Sequence, residues 1–415
     1  VTAQHPEGGQ VLPMEVRLEF VHALVDRQAA RAGVRVLHIK GVAAGRQLGL
    51  RGRRPADVDV LVAPGDEAAL VAALEGCGWT REDPTRAARL VGHATVLTHP
   101  GWGCAVDLHH RFPGIELDAT TAFDLLWQER VALVLGGHIV HVPPGPAQAL
   151  LVLLHAARGH GTPRARDDVE QVRCGLGPDE AGDVRRWAQR LHSGAALRAV
   201  AADWGRSGGR LHDWHWRAQA DPSGSGVQLW IGRALTAPSV RTAAAVLATA
   251  VVPDRRTMSI RAGRPLSRGA LVAAWVGRWG TGLAAFVRSI RSRAGADAGP
   301  PPGLTVPDRG SAPGAGGAAP TGPGELVEDD DLALRLDGDR AWVARLSSAR
   351  VHVLTEPALL VWERARVHGR APEAEILARV VADLRPWTAL PGAELTGQVR
   401  DTLAQLRAAG LLGSG

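Results

Sequence analysis

Apolar residues recur three and four apart from Val16 through Phe20 to Leu24, which predicts a helix over Pro13 to Ala32 ended by Gly33. The period then drops to two. Val34-Arg35-Val36-Leu37-His38-Ile39 reads as a strand running into Lys40-Gly41, and Val58, Val60 and Val62 alternate with Asp57, Asp59 and Leu61 as a second strand. That alternation puts both aspartates on one face and the valines on the other. A helix over residues 66 to 76 follows. Val91 to Leu97 and Cys104 to His109 read as strands around His99-Pro100-Gly101-Trp102-Gly103, and Val131 to Leu135 with His138 to Val142 as a hairpin turned by Gly136-Gly137. From Ala147 the pattern is helical, over Ala147 to Arg158, Arg166 to Val172, Asp183 to Ala202 and later stretches through Arg293. The expectation is an α/β (α+β) chain with a small mixed sheet in residues 1–145 and a helical half in residues 146–293.

Gly, Pro and Ala dominate residues 294–324, where no apolar periodicity survives, so this segment reads as a flexible linker. Residues 325–415 form the last expected unit. Leu332 to Leu336, Ala341 to Leu346 and Arg350 to Leu354 alternate as short strands, and helical patterns follow near 357–367, 373–384 and 395–409. Three strands and three helices in so short a span suit a compact winged-helix-like module.

The stretch from Arg261 to Arg293 combines Leu271, Val272, Trp275, Val276, Trp279, Leu283, Phe286 and Ile290 with seven arginines, and reads as a basic amphipathic helix. Such a helix can lie on a membrane, but docking on its own domain is the favoured reading. No stretch is long and clean enough to span a bilayer. The three cysteines, Cys77, Cys104 and Cys174, indicate neither a disulfide framework nor a zinc site, and no signal peptide is read at the start, so a cytoplasmic location is expected. From Glu325 onward there are 11 arginines against 14 acidic side chains, a net charge of −3, so the preceding part carries +9 of the total +6. A polyanion is therefore expected to meet the first part of the chain. Nucleic acid is not the expected partner, because an aromatic content of 4% leaves few stacking platforms.

Lys40 is the one lysine in a chain whose other cationic side chains are arginines. Its compact ammonium suits a single phosphate oxygen where a guanidinium fork does not. It ends the first predicted strand, seventeen positions before Asp57, and Arg51, Arg53 and Arg54 add positive charge just before the acidic strand. Two carboxylates spaced two apart on a strand aim at one point and can share a divalent cation. Asp107, on the predicted strand Cys104 to His109, is the best third ligand. Asp57, Asp59 and Asp107 are thus expected to hold Mg²⁺ (or Mn²⁺), with Lys40, Gly41, Arg53 and Arg54 at a nucleotide's phosphates.

The segment LHIKGVAAGRQLGLRGRRPADVDVLV, followed about fifty residues later by AVDLHH, resembles the uncharacterised nucleotidyltransferase family of the DNA polymerase β-like superfamily. The resemblance spans roughly residues 12 to 290 and implies a metal-dependent fold in which Asp57, Asp59 and Asp107 hold Mg²⁺ and an NTP is the substrate. Two departures stand out: Lys40-Gly41 replaces the superfamily's Gly-Ser turn, and Ala56 precedes the first aspartate where the family often has Gly. ALLVLLHAARGHGTPRARDDV resembles the family's helix pair through His155, His160 and Asp168. Positions five apart on a helix diverge, so the two histidines are poor joint ligands. They are expected, with His109, as cleft residues in a structural role.

The C-terminal stretch ARVHVLTEPALLVWERARVHGRAPEAEILARVVADL, with VRDTLAQLRAAGLL, is similar to PqqD-like elements that bind leader peptides of ribosomally made, modified peptides, although Thr355 and Pro357 depart from that pattern. The resemblance implies a precursor peptide held along Val351 and Val353 and against Leu403 and Leu406, with other peptide-modifying enzymes as further partners. The expected activity is nucleotidyl transfer to such a peptide. The alternative is a peptide-binding scaffold whose nucleotidyltransferase part is degenerate.

Overall fold

The computed structural model of the chain describes residues 12–52, 55–85, 92–159, 161–207, 209–220, 226–237, 239–294, 329–337, 340–368, 371–388 and 390–412. Helix α1, Met14–Ala32, ends where Gly33 takes a left-handed conformation at φ 66°. Strand β1, Val36–Ile39, runs through Lys40 directly into α2, Gly41–Leu48, a helix the sequence pattern did not announce. Then come β2, Asp57–Val62; α3, Glu67–Glu75; β3, Thr80–Arg81; β4, Ala94–Thr98; and β5, Ala105–His109. Helix α4, Ala119–Gln128, also unannounced, is capped by the Asp118 carboxylate, which accepts from the N–H groups of Thr120 and Thr121. The expected hairpin forms as β6, Val131–Leu135, and β7, His138–Val142.

The first five strands make one sheet in the order β1-β2-β5-β4-β3, with β2 and β5 parallel and the other pairs antiparallel. Register lines up Ile39, Asp59, Asp107 and Val96 across four strands. Because side chains alternate, Val58, Val60, Val62, Val106 and Leu108 pack on one side with α1 and α3, while Leu37, Ile39 and Leu61 face the other. Asp59 and Asp107 share that second side. Its cover is helical: α5, Gly145–Ala157; α6, Pro163–Gly175; α7, Pro178–Arg190; and α8, Gly194–Arg198. One apolar cluster therefore runs across residue 145, joining sheet and helices. The expected single helix from Asp183 to Ala202 is broken at His192, which adopts φ 53°, so α7 and α8 are separate.

Four further helices follow: α9, Arg210–Ala220; α10, Gly226–Leu235; α11, Val240–Val251; and α12, Arg255–Ala262. The basic amphipathic helix is α13, Arg268–Ala294. It starts at 268 and not 261 because Gly263, at φ 64°, and Pro265 end the preceding turn. It docks on the end of α11: Trp275 Nε1–H donates to Pro253 O at 3.1 Å and Trp279 Nε1–H to Val251 O at 2.7 Å. Among the described residues no helix is long and apolar enough to cross a membrane. The expected linker, from residue 295 onward, lies outside the described residues.

The C-terminal segment has β8, Leu332–Asp337; β9, Arg340–Arg345; β10, Arg350–Thr355; then α14, Ala358–His368; α15, Glu373–Leu384; and α16, Gly392–Ala408. The strands form an antiparallel sheet in the order β10-β9-β8. Leu334, Val343 and Leu354 pack on the helices around Trp362, whose Nε1–H donates to Leu411 O at 3.1 Å. Ala333, Trp342 and Ala344 join the cluster of α1 and the first sheet. Polar contacts reinforce that docking. Leu334 N–H donates to Gly136 O at 2.9 Å, and the buried Glu19 carboxylate lies 2.6 Å from Arg46 and 2.9 Å from Arg335.

Candidate functional site

The site is built where β1, β2 and β5 run side by side. Lys40 follows Ile39, the register partner of Asp59, and takes φ 50°, ψ −154°, a region nearly reserved for glycine that costs about 1–3 kcal/mol. Gly41 continues the turn at φ 43°. The turn carries the Lys40 side chain back over the sheet, where Nζ lies 2.5 Å from Asp59 Oδ1. Both groups are buried, at 5% exposure each. Asp59 Oδ1 also accepts from His109 Nε2 at 2.8 Å. Burial alone would raise the Asp59 carboxyl, but the His109 hydrogen bond and the Lys40 ammonium outweigh it and hold the group below its ordinary range.

The neighbouring carboxyls move the other way. Asp107 is pushed up to about 7, first by burial and then by the negative charges of Asp59 and Asp57. Asp57 is raised by burial and by Asp59. Three carboxylates confined with one ammonium thus have too little positive charge to ionise together near neutrality.

One ligand atom each from Asp59, Asp107 and His109 can be chosen so that all lie within 4.8 Å of one another. These residues fit a divalent cation. Burial lowers His109, so its ring is neutral, its Nε2–H donates to Asp59, and Nδ1 is a buried nitrogen with no hydrogen-bond partner among the described residues. Lys40 and His109 both engage Asp59 Oδ1, which leaves Oδ2 for a further ligand. The two carboxylates suit Mg²⁺ or Mn²⁺.

The expected triad is therefore redistributed. Asp59 and Asp107 are together, His109 enters as a potential ligand instead of only a cleft residue, and Asp57 stands outside the three-atom cluster at the entry to β2. Lys40 does face the aspartates, with Gly41 beside the Asp57 backbone. Arg53, Arg54 and His160 lie outside the described residues. His155 sits half-buried in the last turn of α5 and Asp168 is buried in α6; neither is in the acidic cluster.

Two of the expected peptide contacts require correction. Leu403 and Leu406, at 1% exposure each, are buried in the C-terminal core, because α16 uses its apolar face to pack its own module. Val351 and Val353 are half-buried on β10 against the cluster of α1 and the first sheet.

Sequence reasoning missed His93, Phe112 and Arg158 around the centre. The His93 ring is 5.2 Å from that of His109, the Phe112 ring 5.8 Å from it, and Arg158 Nη1 donates to His93 Nε2 at 3.1 Å. The available signal was strand pairing: β4 runs antiparallel to β5 with Ala94 opposite His109, which brings the residue before Ala94 to the same end of the sheet.

Residues 21–198 match the model of an uncharacterised nucleotidyltransferase family. That span contains the whole acidic cluster, Lys40 and the helices α5 to α8 that cover them. No curated protein matches the chain. Among solved structures, similarity is found to the antibiotic-resistance factor ANT(2'')-Ia in solution, at 13% identity over 43% of this chain and 97% of that one, with a TM-score of 0.30. It is also found to an antigenic nucleotidyltransferase-like protein from Paracoccidioides brasiliensis, at 18% identity over 45% and 89%, with a TM-score of 0.30. Scores so low add no argument about the site.

Lys40 separates point charge from mere positive charge. Lys40→Arg keeps the charge but cannot place a guanidinium fork in a space closed by Asp59, His109 and Phe112. It is expected to lower kcat/KM for nucleotidyl transfer about tenfold or more, a loss of about 1.4 kcal/mol of transition-state stabilisation. Steady-state kinetics reads this directly, and an unchanged kcat/KM removes any specific need for lysine.

Proposed function

We propose that the chain is a divalent-metal-dependent nucleotidyltransferase that moves a nucleotidyl group from an NTP to an acceptor on a ribosomally made peptide. The observation that carries this reading is the Asp59–Asp107 register on adjacent parallel strands, with His109 completing a donor set beside the only lysine of the chain. In the reaction an acceptor oxygen bonds to the α-phosphorus, the bond from that phosphorus to the β-bridging oxygen breaks, and pyrophosphate leaves. A bound Mg²⁺ or Mn²⁺ supplies Lewis-acid stabilisation of the phosphoryl oxygens. Asp59, Asp107 and His109 would hold that cation. Asp107 is placed to take the acceptor's proton as its oxygen bonds to phosphorus. Lys40 offsets the charge of Asp59 and of the incoming phosphates, and α5 and its neighbours shield this face of the sheet from water.

The peptide part of the reading rests on residues 329–412, whose outermost strand β10 has only β9 as a sheet neighbour among the described residues. Main-chain pairing along β10 is favoured over side-chain capture by α16, given the burial of Leu403 and Leu406. Docking of this segment on α1 keeps a bound peptide near the acidic centre and raises its effective concentration.

Incubation of the full-length protein with Mn²⁺ or Mg²⁺, each of the four NTPs and a candidate precursor peptide is expected to add one nucleotidyl mass to the peptide by mass spectrometry. Absence of the increment under every combination overturns the reaction. Peptide binding that persists without any NTP consumption points to a scaffold instead.

A further inference from the structure

Helix α13 meets the end of α11 through Trp275, whose Nε1–H donates to Pro253 O at 3.1 Å, and Arg278, whose Nη1 donates to Ala250 O at 2.5 Å. A cation there faces the negative end of α11. The outward face of α13 is the apolar one. Val272, Val276 and Trp279 follow one another at helical spacing and are 54%, 58% and 46% exposed, and the inward-turned Arg278 is the only charged residue between positions 269 and 281. Helix α11 repeats the arrangement, since Val240, Ala244, Leu247 and Val251 recur at helical spacing and all are exposed. The two stripes meet where Trp279 Nε1–H donates to Val251 O at 2.7 Å, both residues being themselves exposed. A helix that only closes its own domain turns such a stripe inward.

The charge around this surface is one-sided. Residues 240–294, from α11 to the end of α13, hold 10 arginines and one acidic residue, Asp254, a net charge of +9. That equals the whole excess carried by residues 1–324, so the remainder of that part is electrically balanced. Asp254 itself caps α12, accepting from Thr257 N–H at 2.7 Å. Arg241 stands beside Val240, Arg268 stands one turn ahead of Val272, and Arg264 precedes it; all three are exposed. Arg256 differs, held by Asp83 at 3.2 Å. Exposed apolar stripes bordered by arginines match a helix pair lying in the headgroup layer of a bilayer, where anionic lipids attract the cations. Trp279 suits the same boundary, which favours an amphipathic ring. A second copy of the chain would set +9 against +9. A nucleic acid would satisfy the arginines but leave the valines in water.

We propose that α11 and α13 form a peripheral docking surface for an anionic lipid bilayer. Val240, Leu247, Val251, Val272, Val276 and Trp279 enter the headgroup boundary, and the arginines beside them meet the lipid phosphates and carboxylates. The seat is on the surface of the bilayer, since among the described residues no helix is long and apolar enough to cross it. The surface does not depend on the proposed nucleotidyl transfer, because none of these residues belongs to the acidic cluster.

The test is co-sedimentation of the full-length protein with vesicles of phosphatidylcholine alone and with vesicles of phosphatidylcholine and phosphatidylserine in equal parts. Wild type is expected to bind the mixed vesicles, to remain in solution with the neutral ones, and to bind less as salt is raised. Val276→Glu sets a charge in the exposed stripe and is expected to weaken mixed-vesicle binding about tenfold or more. Arg264→Gln combined with Arg268→Gln should weaken it on the order of tenfold, because each arginine near such a surface contributes a factor of about five. If Val276→Glu does not fold, as judged by thermal denaturation, Leu247→Glu carries the same expectation. Wild type that ignores the mixed vesicles, or binds both kinds equally, overturns the proposal. So does binding within about twofold of wild type in the folded stripe variant, which is charge attraction alone. A concentration-dependent dimer in analytical ultracentrifugation that Val276→Glu abolishes also overturns it, because a second copy then covers the stripe.

Discussion

Replacing Asp59 with asparagine is expected to lower nucleotidyl transfer by about 1,000-fold or more. The substitution keeps the shape of the side chain and can still accept from His109, but it removes the charge that meets both Lys40 Nζ at 2.5 Å and a cation. Losing several kcal/mol of transition-state charge stabilisation corresponds to at least about three powers of ten in rate. The same change strands the Lys40 ammonium, which is only 5% exposed. Removing one partner of such a buried pair costs about 3–5 kcal/mol of stability. Single-turnover kinetics on protein shown to be folded, with urea denaturation alongside, separates the two effects. Transfer within about tenfold of wild type removes Asp59 from the reaction, whereas a rate loss accompanied by unfolding in the assay buffer is only a stability effect.

The second large effect is a pH dependence set by Asp107. Its carboxyl is raised from 3.8 to about 7, chiefly by burial and then by Asp59 and Asp57. The folded chain therefore keeps a proton that the unfolded chain has already released between about pH 4 and pH 7. Stability contributed by this group falls as pH rises through that window, and the penalty is complete above about pH 7; the sign is opposite to that of a salt-bridged carboxylate. The shift corresponds to on the order of 4 kcal/mol. Asp107→Asn is expected to remove most of this slope, so that in EDTA the variant denatures at a higher urea concentration than wild type at pH 8 and at a similar one at pH 4. A cation that needs ionised Asp107 works against the same proton, so its affinity should rise about tenfold per pH unit below 7 and level off above. An unaltered slope in the variant means that Asp107 titrates normally.

Much of the fold was legible because the hydrophobic period changes cleanly along the chain. The β6–β7 hairpin and α15 form over the residues that their periodicity marks, since each is a strongly patterned local element. Short helices without a long apolar stripe were not legible: α2 follows directly from the Lys40-Gly41 turn, and α4 depends on the Asp118 cap. The candidate site was legible where neighbours are set by alternation. Asp59 and Lys40 were placed by strand period and turn, whereas Asp107 needed the parallel pairing of β2 with β5, a contact between strands far apart in sequence.

His109 and Arg158 show what local pattern does not carry. Consecutive histidines at 109 and 110 point to opposite faces: His109 reaches Asp59, and His110 Nδ1 lies 3.3 Å from Glu67 on α3. Which of them faces the acids depends on the register of β5 against β2. Arg158 reaches His93 only when α5 is laid over the sheet. Leu403 and Leu406 illustrate the opposite error, since an apolar helical face that could receive a peptide is filled by the Trp362 core of the same module. The one lysine remains informative for a different reason. Its backbone occupies a conformation that favours glycine, yet its ammonium is held against a carboxylate that pairs with it in the folded chain.

The central claim is that Asp59, Asp107 and His109 hold one divalent cation for nucleotidyl transfer. Mn²⁺ binding to the full-length protein, followed by electron paramagnetic resonance between pH 5 and pH 8, tests it most directly. The account predicts one saturable site whose affinity climbs with pH toward 7 and which is lost in both Asp59→Asn and Asp107→Asn. No saturable binding at any pH, or equal binding by wild type and Asp107→Asn, would contradict it.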